Sequence, residues 1–231
     1  MSPETSRESL AAAAAPAASP AVTIPAKSAA SPGPVTSAAT TGVEARYDRI
    51  VWIDCEMTGL DLTIDVLVEI ACIVTDAELN ELDEGFSTVI SATPEQLAAM
   101  LPQVTQLHVD SGLLPLISAG VTLAQAAEET LAYIKQHVPD PGKAPLAGST
   151  IYVDRGFLAK YMPEVDRHLH YRVIDVSSIK ELTRRWFAKA YFQAPAKTGN
   201  HRALGDIRDS IAELRYYRHT VFVPEAGPKS K

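Results

Sequence analysis

Two carboxylates lie two residues apart in the stretch WIDCEMTGLD at residues 52–61. Asp54 and Glu56 fall within an apolar, β-prone run, and strand side chains alternate between faces, so both should point the same way. Two like charges on one face of a mostly buried strand are costly unless a cation compensates them. Hard divalent cations prefer oxygen ligands, and Mg²⁺ commonly uses one or two carboxylates. The pair therefore predicts a metal site.

Two further acids and one histidine could complete this site. Asp154 stands between a strand-like and a helix-like run, and Asp206 begins the last helical segment, five residues after His201. Asp154 could instead cap a helix, Asp206 could belong to an exposed charged face, and a lone histidine is more often structural. Four carboxylates could, however, hold two divalent ions, which activate water and stabilise the leaving oxygen of a displacement at phosphorus. A neutral His201 could accept the proton of that water, which indicates two-metal phosphodiester hydrolysis.

The elements that must position these residues follow a recognisable order. Strands are predicted over residues 49–56, 66–76, 84–90, 145–152 and 173–176. Helices are predicted over 94–100, 121–137 with Thr122 as N-cap, 154–161, 179–188 with Ser177 as N-cap, and 202–219. Three consecutive strands followed by strands that alternate with helices predict an α/β domain, a mixed sheet flanked by helices.

Composition divides the chain into a tail and one domain. Residues 1–43 are dominated by Ala, Pro, Ser and Thr and contain no aromatic residue, so we predict a disordered tail over 1–45. The folded domain should span 46–222, with a flexible end over 223–231. The tail lacks the apolar segment of a secretory signal, and Cys55 and Cys72 are expected to be buried, reduced thiols. These features favour a cytoplasmic protein with no membrane association.

The net charge of −7 falls entirely on the domain, because the first 46 residues carry as many acids as bases. Binding of long nucleic acids depends on many contacts between Lys or Arg and phosphates. The charge therefore disfavours a long basic track, although it leaves room for a small phosphate site.

Five segments together resemble the oligoribonuclease family, 3′→5′ exoribonucleases of the DEDDh group. They are WIDCEMTGLD, EIACIVTDAELN, DRGFLAKYMPE, HYRVIDVSSIKEL and HRALGDIRDSIAELRYYR, and the resemblance covers about residues 48–220. It implies an RNase H-like fold with a five-stranded sheet, and the catalytic set Asp54, Glu56, Asp154, His201 and Asp206. In that set the four acids would bind two Mg²⁺ or Mn²⁺ ions, and His201 would be the general base.

The resemblance also implies a homodimer that degrades very short RNA, especially dinucleotides, to 5′-mononucleotides. Leu60 would wedge between the two bases. Thr150, Arg172 and Ser177 would cap the 5′-phosphate, and Tyr171 would reach the substrate of the partner subunit.

Three positions depart from the family pattern, namely Ser149, Gln103 and Gly156. Ser149 replaces an asparagine, Gln103 stands where some members have an aromatic that stacks on a base, and Gly156 replaces a commonly basic residue. Two alternatives remain at this point: a DEDDh exonuclease that trims or proofreads longer DNA or RNA ends, and a catalytically silent binding module on the same fold. The intact set of five catalytic residues argues against the second of these.

Overall fold

The computed structural model describes residues 48–197 and 201–222 of the chain. Its centre is a five-stranded sheet in the order β3-β2-β1-β4-β5. The strands are β1 Ile50–Met57, β2 Leu67–Thr75, β3 Phe86–Val89, β4 Pro145–Gly148 and β5 His170–Asp175. The first three strands form an antiparallel meander, whereas β4 runs parallel to β1 and β5 runs parallel to β4. The mixed five-stranded sheet predicted from the sequence is confirmed.

Helices cover both faces of this sheet. In the described part of the chain they are α1 Pro94–Ala98, α2 Pro102–Asp110, α3 Leu114–Ile117, α4 Leu123–His137, α5 Tyr152–Tyr161, α6 Pro163–His168, α7 Val176–Trp186, α8 Ala188–Phe192 and α9 Ala203–Thr220. One core joins Ile53 of β1 to α4, α5 and α6, and the other joins Trp52 of β1 to α7 and α9. Because side chains alternate along β1, Asp54 and Glu56 share the face of Trp52, which α9 covers.

All nine residues of β2 are buried, which explains why this strand reads as a continuous apolar run. Its neighbour β1 lies in the middle of the sheet, between β2 and β4. The carboxylates of β1 are therefore held by a central strand whose backbone is paired on both sides, and such a strand positions side chains with little freedom.

Several element boundaries differ from those predicted. The fourth strand ends at Gly148 rather than at residue 152, because Thr150 has a φ of 61° and a helix begins at Tyr152. Asp175, not Ser177, caps α7, and its carboxylate accepts a hydrogen bond of 2.9 Å from the backbone N–H of Ser177. The N-cap role of Thr122 is confirmed by a 3.2 Å bond from the N–H of Gln125.

Some of the remaining predictions are confirmed, whereas others concern residues that the structure does not describe. Cys55 and Cys72 are buried and free, as expected. The predicted tail over 1–45 and the predicted end over 223–231 lie outside the described residues. No helix in the described ranges is long and apolar enough to cross a membrane.

Candidate active site

Three of the predicted metal ligands meet at the end of β1. Asp54 and Glu56 project from one face of this strand, and Asp206 projects from the first turn of α9, which packs on that face. One carboxylate oxygen from each residue lies within 4.8 Å of the other two. Carboxylates this close repel one another unless protons or a cation compensate the charge. This donor set of hard oxygens is the type that Mg²⁺ and Mn²⁺ prefer, so the residues fit a divalent ion.

Asp154 is held next to this cluster in a different way. It lies in the first turn of α5 and is only 6% exposed. Its Oδ1 atom accepts a 2.9 Å hydrogen bond from the backbone N–H of Cys55, the residue between the two acids of β1. This bond ties the start of α5 to the central strand. Asp154 does not share the 4.8 Å cluster of the other three acids, but its charge reaches both acids of β1.

The pKa values of these acids are raised, because the carboxyl groups are buried and close to one another. Burial, followed by the charges of Asp154 and Glu56, raises the pKa of Asp54 well above its ordinary value. Burial and the charges of Asp206 and Glu69 raise the pKa of Glu56 to about 8. Burial also raises the pKa of Asp206, which the charges of Lys197 and His201 partly lower. Perturbed carboxyl groups gathered in one place are typical of functional sites, and a bound cation would favour their ionised forms.

The pKa of Asp154 is raised as well. Burial is the main cause, the hydrogen bond from Cys55 opposes it, and the nearby charge of Asp175 adds to it. The pKa values of all four acids are therefore raised, mainly by burial, so protons or a bound cation must compensate their charges.

An ion pair between the partly exposed Arg202 and the buried Glu69 fixes the start of α9 relative to the sheet. Arg202, the N-cap residue of α9, donates from Nη2 to Oε1 of Glu69 at 2.7 Å and from Nε to both carboxylate oxygens at 3.2 Å. Glu69 lies on β2 directly opposite Glu56 and also accepts a 3.3 Å bond from the N–H of Ala203. The forked geometry of an arginine–carboxylate pair sets orientation as well as distance. Asp206, one turn further along, is thereby placed against the acids of β1.

His201 directly precedes this N-cap residue. It is exposed and has a φ of 48°, in the left-handed region that is uncommon for residues other than glycine. Its charge, when present, lowers the pKa of Asp206. The predicted general base is therefore open to solvent and directly precedes the N-cap of the helix that carries Asp206.

The loop after β1 presents the predicted wedge residue, Leu60, with 49% of its surface exposed. Asp65, which is buried, organises this loop by accepting 2.9 Å hydrogen bonds from the Thr58 hydroxyl and from the N–H of Asp61. A Cβ atom on Gly59 would lie 2.4 Å from Oδ2 of Asp65, so only glycine allows the loop to close over this carboxylate. Leucine exposed on a braced loop is suited to contact a ligand.

Of the departures Gly156 and Gln103, both of which lie on helices, Gly156 is the one that the structure places beside this loop. Gly156, in α5, faces Leu62 of the loop, and a Cβ at this position would lie 3.1 Å from Leu62 Cδ1. Glycine therefore lets the loop pack closely on α5. Gln103 is exposed near the start of α2, and Ser149 is half-buried between β4 and α5.

The predicted phosphate-capping residues are brought together only in part. Thr150 and Ser177 both donate to the carboxylate of Asp175, from a backbone N–H at 3.0 Å and from a hydroxyl at 2.6 Å respectively. Arg172 and Tyr171 lie on β5, the last strand in the described sheet, where the guanidinium is 5.4 Å from the centre of the Tyr171 ring. The described contacts do not join Arg172 to Thr150 or Ser177. Tyr171 is 73% exposed, and its ring contacts the His170 ring at a centroid distance of 4.3 Å.

Sequence reasoning missed the residues that hold this site in place, chiefly Asp175, Asp65 and the pair Glu69–Arg202. An acid at the end of a strand and the start of a helix is a capping signal that could have identified Asp175. No local signal marks Glu69 and Arg202, because these partners are 133 residues apart.

Comparison with known proteins agrees with this geometry. Residues 51–214 match the RNase_T exonuclease family model. The chain is 59% identical to the oligoribonuclease of Streptomyces griseus over 184 residues, which cover 80% of this chain and 92% of that protein. It is 58% identical to the oligoribonuclease of Rhodococcus jostii, with 79% and 92% covered.

Solved structures show the same fold in more distant enzymes. Exonuclease I from Methylocaldum szegediense superimposes with a TM-score of 0.56 at 21% identity, and Escherichia coli exonuclease I bound to a dT13 oligonucleotide with 0.58 at 15%. About three quarters of this chain is covered in each case, but only 41% of the longer exonuclease. At this identity the likeness describes the fold alone. From the curated relatives and the family model together, the chain belongs to the oligoribonuclease family of 3′→5′ exoribonucleases.

Proposed function

We propose that this enzyme hydrolyses very short RNA, dinucleotides above all, to 5′-mononucleotides with the aid of two divalent ions. The observation that carries the proposal is the meeting of Asp54, Glu56 and Asp206, with oxygens within 4.8 Å, beside the buried Asp154. These four residues would hold the ions, Mg²⁺ or Mn²⁺. When bound, two such ions supply an activated water and stabilise the leaving oxygen of an in-line displacement at phosphorus.

The protein's own groups supply position and proton transfer. Asp154 is tied to β1 through the N–H of Cys55, and Asp206 is positioned by the Glu69–Arg202 pair. The metal ligands therefore keep fixed positions relative to one another. His201, which is exposed just before the helix that carries Asp206, would take the proton of the attacking water at one of its ring nitrogens when it is neutral. Its position just before a helix anchored by the Glu69–Arg202 ion pair limits its movement relative to the acids.

The walls of the site favour a short substrate. Leu60 is exposed on the loop that follows β1 and offers an apolar surface to nucleobases. Thr150 and Ser177, joined through Asp175, lie just beyond the ends of β4 and β5 and would close the site around a 5′-phosphate. A protein with a net charge of −7 is poorly suited to bind many phosphates at once. A dinucleotide presents few phosphates, so its binding is compatible with this charge.

We further propose that the enzyme acts as a homodimer in which Tyr171, next to Arg172 on β5, contacts the substrate of the partner subunit. Tyr171 is 73% exposed on an edge strand, and an aromatic ring exposed to this degree gains most from a partner surface. Two further aromatic side chains on the same half of the chain, Trp186 and Phe192, are 66% and 81% exposed. Residues 46–222 would form the catalytic domain, and the enzyme would act in the cytoplasm.

The substrate range can be tested with 5′-labelled RNA of 2 to 10 nucleotides, each length assayed with Mn²⁺ and with EDTA. We expect the dinucleotide to disappear fastest with Mn²⁺ and all lengths to persist in EDTA. Equal or faster trimming of the 10-nucleotide substrate would overturn the preference for short RNA and would favour an exonuclease of longer ends. Hydrolysis that continues unchanged in EDTA would overturn the metal mechanism.

A further inference from the structure

We propose that Asp175 is the positioning residue that builds the closed end of the substrate site and thereby sets the limit on RNA length. This inference rests on the proposed function, because it assigns the cause of the preference for short RNA. Asp175 was not among the residues expected from the sequence to act at the site.

Three hydrogen bonds converge on one oxygen of this residue. Its Oδ1 atom accepts from the N–H of Thr150 at 3.0 Å, from the N–H of Ser177 at 2.9 Å and from the Ser177 hydroxyl at 2.6 Å. Thr150 follows β4 and Ser177 begins α7, so one carboxylate joins the turn after one strand to the helix after the next. Hydrogen bonds to an ionised acceptor are the stronger kind in proteins, and the 2.6 Å distance lies in their range.

The conformation of Thr150 depends on this bond. Thr150 has a φ of 61°, a left-handed conformation that is unfavourable for a β-branched residue. A conformation of this kind persists only where the surroundings impose it. The bond from the Thr150 N–H to Asp175 is one restraint at this position, and it acts beside the 3.1 Å bond that the Thr150 carbonyl accepts from the N–H of Val153. Without it, the turn would relax and the end of the site would open.

The same bonds decide which groups remain free for a substrate. The single hydroxyl proton of Ser177 is donated to Asp175, so Ser177 can offer only a lone pair while this bond lasts. Within residues 48–197 and 201–222, no hydrogen bond uses the Thr150 hydroxyl, and Thr150 is exposed. Thr150 is therefore the hydroxyl of the pair that can donate to a terminal phosphate, and Asp175 holds it in place.

The charge of Asp175 adds to this arrangement. Asp175 ends β5 opposite Gly148, the last residue of β4, and the helix that follows β4 carries the catalytic acid Asp154, so both carboxylates lie at the same end of the sheet. The Thr150 hydroxyl can donate a hydrogen bond to a terminal phosphate that stops short of the Asp175 carboxylate. An additional phosphodiester that continued past it would meet negative charge and a closed turn.

The test compares kcat/KM for a 5′-phosphorylated dinucleotide and a 5′-phosphorylated heptanucleotide in the full-length enzyme. For Asp175→Ala we expect the dinucleotide-over-heptanucleotide ratio to fall at least tenfold, mainly through a higher KM for the dinucleotide. Asp175→Asn, which keeps one neutral acceptor, should restore part of the ratio. Thr122→Ala is the matched control, because it removes the N-cap of α4, and should leave the ratio at the wild-type value.

Two outcomes separate this inference from the proposed function. If Asp175→Ala lowers kcat/KM for both lengths by the same factor, Asp175 only supports the fold and the inference is wrong. If the wild-type enzyme itself has no preference for the dinucleotide, the proposed function fails before any variant is compared. A variant too unstable to assay is replaced by Asp175→Asn, for which an unchanged ratio would also refute the inference.

Discussion

Neutralising Glu56 should stabilise the metal-free enzyme while abolishing its activity. In the folded protein the pKa of Glu56 is raised to about 8, above its ordinary value of 4.5, by burial and by the charges of Asp206 and Glu69. The folded state thus holds this proton more tightly than the unfolded chain does. Stability is greatest while the group is protonated in both states and is lost as the pH rises from 4.5 toward 8. Glu56→Gln keeps a neutral side chain of nearly the same shape at every pH.

The size of the effect follows from this difference in proton affinity. Each pH unit between the two pKa values corresponds to about 1.4 kcal/mol. The cost of ionisable Glu56 is therefore at most about 3 kcal/mol at pH 7 and below about 1 kcal/mol at pH 5. Because Glu56 is partly exposed, we expect roughly half of these values, or about 1–2 kcal/mol at pH 7. For a domain of this size that is a rise in Tm of about 2–8 °C.

Thermal unfolding in EDTA between pH 5 and pH 8 measures this directly. The stabilisation by Glu56→Gln should grow with pH, and Mn²⁺ should then raise the Tm of the wild type more than that of the variant, because the ion binds the intact site. Glu164→Gln is the matched control, since Glu164 is exposed and its ion pair with Arg167 lies at the surface. If Glu56→Gln lowers the Tm in EDTA at pH 8, or if its effect does not change with pH, the electrostatic interpretation of the site is refuted.

Three further predictions concern the general base, the dimer and the loop. His201→Ala should lower kcat by about 10²–10⁴-fold on a diribonucleotide, and normal turnover would exclude it as the base. Tyr171→Ala should be weakly active, and mixing it with inactive Asp54→Ala chains should restore activity in heterodimers; a mixture no more active than its parts would argue against a shared site. Gly59→Ala should cost about 1–3 kcal/mol in a denaturant titration, because its Cβ would lie 2.4 Å from the buried carboxylate of Asp65. An unchanged denaturation midpoint would show that the loop accommodates the added methyl group without loss of stability.

The cluster of acids could be anticipated because each of its members carries a local signal. Asp54 and Glu56 alternate within an apolar run, which places them on one strand face, and Asp206 lies on a strongly periodic helix. The order of strands and helices then predicts the mixed sheet. These inferences need only the two-residue period of a strand and the 3.6-residue period of a helix.

Among the supporting residues, Glu69 and Arg202 could not be anticipated, since their roles depend on long-range pairing. The Glu69–Arg202 pair exists only because β2 and α9 meet in the fold. Asp175 and Ser177 are both good N-cap residues, and the end of β5 at Asp175 is set by pairing with Gly148 of β4. The sequence predicts strand at Thr150, whereas the structure has a left-handed turn there, because the residue type of Thr150 gives no signal for this conformation.

The most direct test of the central claim is a competition in one tube. An equimolar mixture of a 5′-labelled diribonucleotide and a 5′-labelled heptaribonucleotide is incubated with the full-length enzyme and Mn²⁺, and the two substrates are followed over time. We predict that the dinucleotide is converted to 5′-mononucleotide while most of the heptanucleotide remains, and that Asp54→Ala converts neither. Preferential loss of the heptanucleotide, or hydrolysis by Asp54→Ala at the wild-type rate, would contradict the account.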